Sequence, residues 1–291
     1  MAVRSPMTLL APAKLNLFLH VLGRRADGYH ELESVFRSIS LYDVITFERV
    51  TRGGEITLSA PAHLGNEQDN LILRAARLLQ NTSAGTPGAN IRLEKNIPVG
   101  AGLGGGSSDA AAALIGLNAL WGLDYDLQAL RAMGAQLGAD VPFFVEGQDA
   151  WVSGIGEVLE PINLPETHYF VVFPNVLVPT AQIFRDPHLT RDTQPSKIAR
   201  FLELPAGPSW KNDLESAVLA GYPEVGKLKN WLSRRGTAKM SGSGSACFVE
   251  VESKEAGEAL GEDLPEAWQG FVVSAGGIDP LQRQVKKFSD Q

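Results

Sequence analysis

The sequence is poor in the features that mark secreted, membrane or nucleic-acid-binding proteins. It contains one cysteine, Cys247, among 291 residues, which excludes an internal disulfide and fits a reducing compartment. Lysine and arginine number 26 against 33 acidic residues, for a net charge of −7, and they form no dense cluster. This balance argues against nucleic acid or an anionic membrane as the main partner.

Long hydrophobic runs are also missing. The longest, residues 110–123, is too short to cross a bilayer and contains Gly116 and Asn118. The first six residues lead into no apolar signal core. We therefore predict a cytoplasmic protein. The spacing of the histidine and acidic residues indicates no zinc site, and no pattern indicates an oligomeric state.

The length and composition are those of an ordinary globular protein with two domains. Hydrophobic residues make up 44% and charged residues 20% of the chain, as in typical soluble proteins. A chain of 291 residues exceeds the usual size of a single core. The stretch 154–165 contains two glycines and two prolines and is the linker candidate. We predict domains at 1–160 and 161–291, with the last segment able to pack back on the first.

One glycine-rich stretch is the most informative part of the chain. It comprises Pro98, Val99, Gly100, Ala101, Gly102, Leu103, Gly104, Gly105, Gly106, Ser107 and Ser108. Glycines reach positive φ angles and let backbone N–H groups approach a ligand closely. Strong helix formers follow from Asp109 onward. A glycine-rich loop that leads into a helix N-terminus favours an anion such as a nucleotide phosphate.

Other interpretations of this loop fit less well. The P-loop pattern needs a lysine after its last glycine, where Ser107 stands. The dinucleotide-binding pattern matches at its glycines, and Asp124 lies at the distance expected for its acidic residue. That motif needs a second strand before the acidic residue, and the predicted helix over 109–123 leaves no room for one. In protein kinases the glycine loop is followed by a strand, whereas a helix is predicted after this loop. A surface turn with no ligand is the structural alternative.

Hydrophobic periodicity predicts both strands and helices, and hence an α+β fold. Residues 13–21 alternate as a strand that carries Lys14 and Asn16 on one face. Further strands are predicted at 35–39, 43–50, 56–58, 91–93, 169–173, 247–251 and 271–274. Helices are predicted at 70–80, 109–123, 127–137, 180–184, 197–202, 213–220, 223–234 and 255–260.

The loop pattern P-x-G-x-G-L-G-G-G-S-S resembles the phosphate loop of the GHMP kinases. Further blocks match that family in order, at residues 11–19, 25–32, 70–72, 138–142, 212–215 and 241–244. The resemblance therefore covers most of the chain. It implies an ATP-binding domain related to a small-subunit ribosomal protein domain and a ferredoxin-like second domain, with the catalytic cleft between them.

The blocks at 11–19 and 25–32 are similar to those of the GHMP kinases that act on a cytidyl diphosphate sugar alcohol. The resemblance implies transfer of a phosphoryl group from ATP to the 2-hydroxyl of that substrate, in non-mevalonate isoprenoid synthesis. ATP is expected with Mg²⁺, whose ligands the sequence does not identify. The alternatives are a GHMP kinase for another substrate, such as mevalonate or homoserine, and a nucleotide-binding or RNA-binding module without catalysis.

The resemblance also assigns the ATP site. It comprises the eleven loop residues and, nearer the adenine, Asn70, Leu71 and Lys95. Asn70 is equally suited to cap a helix, and Ser107 and Ser108 are candidates to assist the metal. Residues 241–245 are either a second nest for phosphate or a tight connection between strands.

Asp140 and Lys14 are the candidate catalytic residues. Phosphoryl transfer needs a group that orients a hydroxyl and accepts its proton, and an ionised aspartate does both. By residue type alone, Asp140 fits a turn or a helix cap, and Lys14 fits a solvent-facing strand position. The match to the family's G-A-D-V-P block and N-terminal lysine assigns both to the active site. Lys14 would keep Asp140 ionised and offset phosphoryl charge.

Five residues are expected to bind the second substrate, namely Asn16, Tyr29, His30, Thr180 and Phe184. The resemblance implies that Tyr29 and Phe184 stack on the two faces of cytosine, that His30 hydrogen-bonds the base, and that Asn16 hydrogen-bonds the substrate. Stacking on a base contributes ~1–3 kcal/mol. The alternative for each aromatic residue is core packing. Thr180 is expected to cap the short helix that carries Phe184.

Overall fold

The structure is a computed structural model that describes residues 6–50, 54–61, 69–82, 86–205, 207 and 210–289. The strands are β1 (Met7–Arg24), β2 (His30–Val50), β3 (Ile56–Ser59), β4 (Gly88–Glu94), β5 (Ala150–Ser153), β6 (Val158–Pro161), β7 (Thr167–Phe173), β8 (Lys239–Met240), β9 (Cys247–Val251) and β10 (Gln269–Ala275). The helices are α1 (Leu71–Gln80), α2 (Gly105–Trp121), α3 (Leu127–Leu137), α4 (Val141–Glu146), α5 (Thr180–Arg185), α6 (Ile198–Glu203), α7 (Glu215–Gly221), α8 (Pro223–Ser233), α9 (Lys254–Glu262) and α10 (Leu281–Ser289). This mixture confirms the predicted α+β class.

The described strands form one ten-stranded sheet that runs through the molecule. Its main path has the order β3-β4-β2-β10-β7-β9-β8. β1 pairs with β2, and β5 pairs with both β2 and β6. β3 runs parallel to β4, whereas the long pair of β1 and β2 is antiparallel. The two predicted domains thus share a sheet through β2 and β10, and their boundary at 160 stays a prediction.

Two strands are longer than the alternation of residues predicts. β1 extends the predicted strand 13–21 at both ends, and the predicted strands 35–39 and 43–50 are one strand, β2. β2 finds partners along its length in β1, β4 and β5. The register with β1 shifts after Pro12 and after Asn16. Such irregularities interrupt the period of two, which is why the pattern indicates shorter strands.

The first core lies between the sheet and α2. This helix is apolar on every side, and residues 110–114 are all fully buried, as expected of a central helix. α1, α4 and α10 pack around it. A separate core forms around β7 and β9, where Phe170 and Leu228 are buried. Because α2 is enclosed by its neighbours, its N-terminus is held at a defined place beside β1.

The C-terminal helix α10, which the sequence patterns above do not predict, returns to the first strand. Gln284 donates from Nε2 to the carbonyl oxygen of Leu10 at 3.0 Å, and its Oε1 accepts from the N–H of Leu10 at 2.8 Å. The predicted linker 154–165 also differs from expectation, since it contains β6, which pairs with β5. No helix among the described residues is long and apolar enough to cross a membrane.

Candidate active site

A cleft of about 1350 Å³ opens beside the glycine loop and extends to the starts of β2 and α5. Its lining includes every predicted site residue except Ser108, which is buried inside α2. The residues so placed are Lys14, Asn16, Tyr29, His30, Asn70, Leu71, Lys95, Pro98, Val99, Gly100, Ala101, Gly102, Leu103, Gly104, Gly105, Gly106, Ser107, Asp140, Thr180 and Phe184. Segments that are distant in the sequence therefore meet at one concave site, as in most ligand pockets.

Glycines with positive φ shape the loop before α2. Gly100, Gly102 and Gly104 have φ angles of 65°, 76° and 73°, which residues with a Cβ rarely adopt. Gly104 precedes α2 and provides no side-chain cap, so the first N–H groups of this helix are left for a ligand or water.

α2 starts at Gly105 and not at Asp109, as the sequence predicts. The burial of α2 outweighs the low helix propensity of the two glycines in its first turn. Since Gly105, Gly106 and Ser107 line the cleft, the positive end of the helix dipole borders it directly. This arrangement suits a phosphate group.

The second glycine-rich loop, residues 241–245, supports the first. The hydroxyl of Ser241 donates to the carbonyl oxygen of Gly102 at 2.9 Å, and it accepts from the N–H of Asn16 at 3.1 Å. The two loops approach so closely that a Cβ at Gly102 would lie 2.2 Å from the carbonyl oxygen of Ser241. Residues 241–245 thus link β1 to the glycine loop.

Lys14 lies under the glycine loop and beside Asp140. Its Nζ is 3.4 Å from Oδ2 of Asp140 and 4.4 Å from the centroid of the Phe36 ring. Its backbone N–H donates to the carbonyl oxygen of Leu103 at 2.9 Å, and a Cβ at Gly104 would meet its Cγ at 3.0 Å. Lys14 is only 4% exposed, so it is not a solvent-facing lysine and the pair is weakly screened.

Asp140 precedes α4, but its carboxylate does not cap that helix. The side chain is 30% exposed and lines the cleft. On one side it pairs with Lys14. On the other it borders Gly156, where a Cβ would lie 3.8 Å from Oδ1. The carboxylate is therefore accessible to a ligand in the cleft, and the geometry offers no support for a capping role.

Asn16 orients the ammonium group of Lys14. Its Oδ1 accepts a hydrogen bond from Nζ of Lys14, and its Nδ2 donates to the hydroxyl of Ser34 at 2.9 Å. The residue is 1% exposed. With one amide hydrogen already used, a substrate hydrogen bond would depend on the other.

Lys95 pairs with two buried carboxylates beneath the loop. Its Nζ donates to Asp43, and to Asp109 at 2.7 Å. Burial lowers the pKa of Lys95, but the charges of Asp109 and Asp43 outweigh it and raise that pKa. Burial raises the pKa of Asp109 to about 7, against the opposing charge of Lys95. The Lys95 ammonium therefore joins β2, which carries Asp43, to the N-terminal part of α2, which carries Asp109.

The far end of the cleft holds an aromatic cluster. Tyr29 is 61% exposed, so it does not pack in a core. Phe184 is half-buried, and its ring centroid lies 5.2 Å from that of His30. Burial and the charges of Arg191 and Arg24 lower the pKa of His30, so its ring is mainly neutral at pH 7. Tyr29, His30 and Phe184 all line this end of the cleft.

Two predicted site residues have structural contacts at helix N-termini. Asn70 caps α1, since its Oδ1 accepts from the N–H of Ile72 at 2.9 Å. Pro179 occupies the cap position of α5, so the predicted cap at Thr180 is wrong. The hydroxyl of Thr180 instead shares a hydrogen bond of 2.7 Å with the hydroxyl of Ser243. This contact joins α5 to the second glycine-rich loop.

Sequence patterns do not reveal three polar residues of this site, Asp43, Asp109 and Arg191. Asp109 could have been noticed in the sequence, because it is the acidic residue that directly follows the glycine-rich stretch. Asp43 and Arg191 carry no local signal, since the side chains that they contact, Lys95 and His30, lie far away in the sequence.

Two family models match the chain. The description GHMP kinases N terminal domain matches residues 70–148, which include the glycine loop and Asp140. The description GHMP kinases C terminal matches residues 198–270, which include the loop 241–245.

Proteins named 4-diphosphocytidyl-2-C-methyl-D-erythritol kinase are similar to the chain over nearly its whole length. The one from Alcanivorax borkumensis is 45% identical over 285 residues, which cover 95% of this chain and 93% of the relative. The one from Thiobacillus denitrificans is 49% identical over 269 residues, which cover 92% and 94%.

Solved structures share the fold. A crystal structure of 4-(cytidine 5'-diphospho)-2C-methyl-D-erythritol kinase matches with a TM-score of 0.81 at 38% identity, covering 94% of this chain and 100% of that chain. The Methanococcus jannaschii mevalonate kinase matches with a TM-score of 0.69 at 16% identity, covering 94% and 99%, and this likeness concerns the fold alone.

Proposed function

This chain belongs to the 4-diphosphocytidyl-2-C-methyl-D-erythritol kinases of the GHMP kinase family, and we propose how its cleft transfers a phosphoryl group from ATP to the 2-hydroxyl of 4-diphosphocytidyl-2-C-methyl-D-erythritol. The reaction is a step of non-mevalonate isoprenoid biosynthesis. The observation that carries the proposal is the 3.4 Å pair of Lys14 and Asp140, which lies directly under a loop suited to phosphate.

The glycine loop and α2 bind the phosphates of ATP. The backbone N–H groups at the start of α2 point into a cleft without competing side chains, and the helix dipole favours negative charge there. Asn70, Leu71 and Lys95 also line the cleft, and we assign the nucleoside to them. Since Lys95 is paired with two carboxylates, its contribution is to hold the loop rather than to supply a free charge.

Asp140 and Lys14 carry out the transfer. Asp140 orients the 2-hydroxyl and accepts its proton late in the reaction, which is the role of a catalytic aspartate in phosphoryl transfer. Lys14 holds that carboxylate in an ion pair and offsets the charge that develops on the phosphoryl group. Asn16 holds the Lys14 ammonium in place, and Ser241 connects this strand to the loop.

The cytidyl group of the substrate binds at the aromatic end of the cleft. Tyr29 and Phe184 stack on the base, and His30 hydrogen-bonds it. The hydroxyl of Thr180 shares a hydrogen bond with that of Ser243, and both residues line the cleft. Stacking of ~1–3 kcal/mol per base favours a substrate that bears cytosine over mevalonate or homoserine, which have no base.

The residues at the start of α2 fit a Mg²⁺ ion shared with ATP. The hydroxyl of Ser108 and Oδ1 of Asp109 are buried without a hydrogen-bond partner in the described structure, and hard oxygen donors suit this ion. No group of three or more His, Cys, Asp or Glu among the described residues could hold a metal. Ser107 and Asp109 line the cleft and would hold Mg²⁺ together with the phosphates, whose charge the ion would partly neutralise.

A coupled assay of ADP release tests the proposed function. We expect turnover with 4-diphosphocytidyl-2-C-methyl-D-erythritol and ATP, and none above background with mevalonate or homoserine at the same concentration. Phosphorus NMR of the product should place the new phosphate on the 2-hydroxyl. Equal turnover of mevalonate or homoserine would contradict the assignment of the aromatic end to a base.

A further inference from the structure

The pairing of β1 with β2 is irregular beside the catalytic pair, and Ser34 lies at this point. Asn16 of β1 pairs with Phe36 of β2. The next pair along β1 is Leu19 with Ser34, so two residues of β1 lie opposite one residue of β2. Such a β-bulge redirects side chains next to active sites. Ser34 is 2% exposed, lines the cleft, and donates from its hydroxyl to the carbonyl oxygen of Phe18 within the bulge.

A chain of three hydrogen bonds leads from this bulge to the ammonium of Lys14. The hydroxyl of Ser34 accepts from Nδ2 of Asn16 at 2.9 Å, and Oδ1 of Asn16 accepts from Nζ of Lys14. The two ends of the chain are of fixed type, because an ammonium only donates and a backbone carbonyl oxygen only accepts. Since the hydroxyl of Ser34 gives its one hydrogen to Phe18, it must accept on the side of Asn16. The amide of Asn16 is therefore held in a single orientation, with its oxygen toward Lys14.

We propose that Ser34 is a positioning residue that orients the amide of Asn16 and thereby holds the ammonium of Lys14 at the transferred phosphoryl group. The proposal rests on the proposed function, in which Lys14 stabilises that group. Without the hydroxyl, Nδ2 of Asn16 would lose this acceptor in a buried site, which is unfavourable, and the amide would leave the orientation that Lys14 needs. Lys14 would then lose the hydrogen bond that fixes its ammonium 3.4 Å from Asp140. Small displacements of a catalytic group reduce the rate strongly.

Hydrogen exchange of the Asn16 side chain reports on the chain directly. In ¹H–¹⁵N spectra of the ¹⁵N-labelled full-length protein, the side-chain signal of Asn16 is assigned by its loss in Asn16→Ala. Because Ser34→Ala removes the acceptor of one Nδ2 hydrogen, we expect exchange of that group with water to become roughly tenfold faster than in the wild type. An unchanged exchange rate in the folded variant would overturn the proposal.

Steady-state kinetics of Ser34→Ala measure the effect on catalysis. We expect kcat to fall roughly tenfold, as for the loss of one buried hydrogen bond, and KM for ATP to stay within about twofold. Ser34→Thr keeps the hydroxyl and should recover most of the kcat. Ser40→Ala is the matched control and should leave kcat unchanged, because Ser40 also carries a hydrogen-bonded hydroxyl on β2, with Ser274 as its partner, and lies outside the cleft.

A double-mutant cycle separates positioning from a purely structural role. If Ser34 acts through Asn16, Ser34→Ala should change kcat by less than about twofold in the Asn16→Ala background. A hydroxyl that only supports the bulge at Phe18 would cause the same loss with or without the amide of Asn16. Equal losses in the two backgrounds would therefore overturn the proposal.

The outcomes separate this proposal from the proposed function. If the wild type phosphorylates the cytidyl substrate and Ser34→Ala retains its kcat, the proposed function stands and Ser34 is not a positioning residue. If the wild type does not phosphorylate that substrate, the proposed function fails, and the hydrogen exchange of Asn16 still decides whether Ser34 orients the amide. If Ser34→Ala does not fold, Ser34→Cys replaces the hydroxyl by a thiol, which is a weak donor and acceptor, and the same measurements decide.

Discussion

The ammonium of Lys14 lies 3.4 Å from the carboxylate of Asp140, although Lys14 belongs to the first strand and Asp140 precedes α4. Lys14 is almost fully buried, whereas Asp140 reaches the cleft. The backbone of Lys14 also hydrogen-bonds the loop at Leu103. One residue therefore connects the phosphate-binding loop to the proposed base.

Loss of either charge should mainly reduce kcat. For Asp140→Asn we expect a loss in the lower half of the ~10²–10⁴-fold range of general bases, because the proton moves late in phosphoryl transfer. Lys14→Met should cause a loss of similar size, and the double variant should lose less than the product of the singles. Steady-state kinetics of all three variants tests this, with Asp126→Asn at the N-cap of α3 as the control. If Asp140→Asn retains most of its kcat, the base lies elsewhere.

Gly102 and Gly106 should respond differently to alanine. At Gly102, φ is 76° and a Cβ would lie 2.2 Å from a backbone oxygen of Ser241, so the loop must shift and lose ATP contacts. At Gly106 the nearest atom is the flexible end of Leu71 at 3.8 Å. We expect KM for ATP to rise about tenfold or more in Gly102→Ala, since one lost hydrogen bond to a charged phosphate has that effect. It should change little in Gly106→Ala. Equal ATP affinities in the two folded variants would contradict the role of the loop.

Tyr29 should contribute to substrate affinity without contributing to stability. Because it is 61% exposed, Tyr29→Ala should leave the melting temperature nearly unchanged. KM for the cytidyl substrate should rise roughly 5- to 150-fold, as expected from the loss of ~1–3 kcal/mol of stacking, while KM for ATP stays constant. Val158→Ala, an exposed apolar position on β6, is the control. A rise in KM for ATP instead would place Tyr29 at the other end of the cleft.

Lys95 should be important for stability even without ATP. Its removal leaves the carboxylates of Asp43 and Asp109 buried together, and breaking such a buried arrangement costs ~3–5 kcal/mol. We expect Lys95→Met to lose that much free energy of unfolding in urea. Lys227→Met, which removes an exposed pair with Glu224, should lose at most ~1 kcal/mol. If Lys95→Met is stable but binds ATP poorly, Lys95 contacts the nucleotide directly.

His30 should make stability depend on pH in a defined direction. The pKa of His30 is lowered by burial and by the charges of Arg191 and Arg24. Below about pH 6.5, His30 therefore binds a proton more readily in the unfolded chain than in the folded chain. The stability from this residue is therefore fully present above that pH and is lost as the pH falls toward the folded-state pKa. We expect the melting temperature of the wild type, relative to His30→Gln, to fall between pH 8 and pH 5. A relative increase of the melting temperature on acidification would contradict the lowered pKa.

Local patterns predicted much of the secondary structure. The alternation over 13–21 correctly placed Lys14 and Asn16 in one strand, and the helix over 127–137 has the predicted bounds. The glycine run predicted a loop at a helix N-terminus, which the structure confirms. α10 was not predicted although Leu281, Val285 and Phe288 have helical spacing. α4 was too short for its periodicity to be visible.

The sequence by itself determined many of the element types, the glycine loop and, through its motifs, the family. Only the tertiary structure decided which polar groups meet: Lys14 with Asp140, Lys95 with Asp43 and Asp109, and Arg191 with His30. The physical reason is that periodicity and turn chemistry act over a few neighbouring residues. These ionic and hydrogen-bonded contacts instead depend on how whole elements pack around α2 and across the shared sheet.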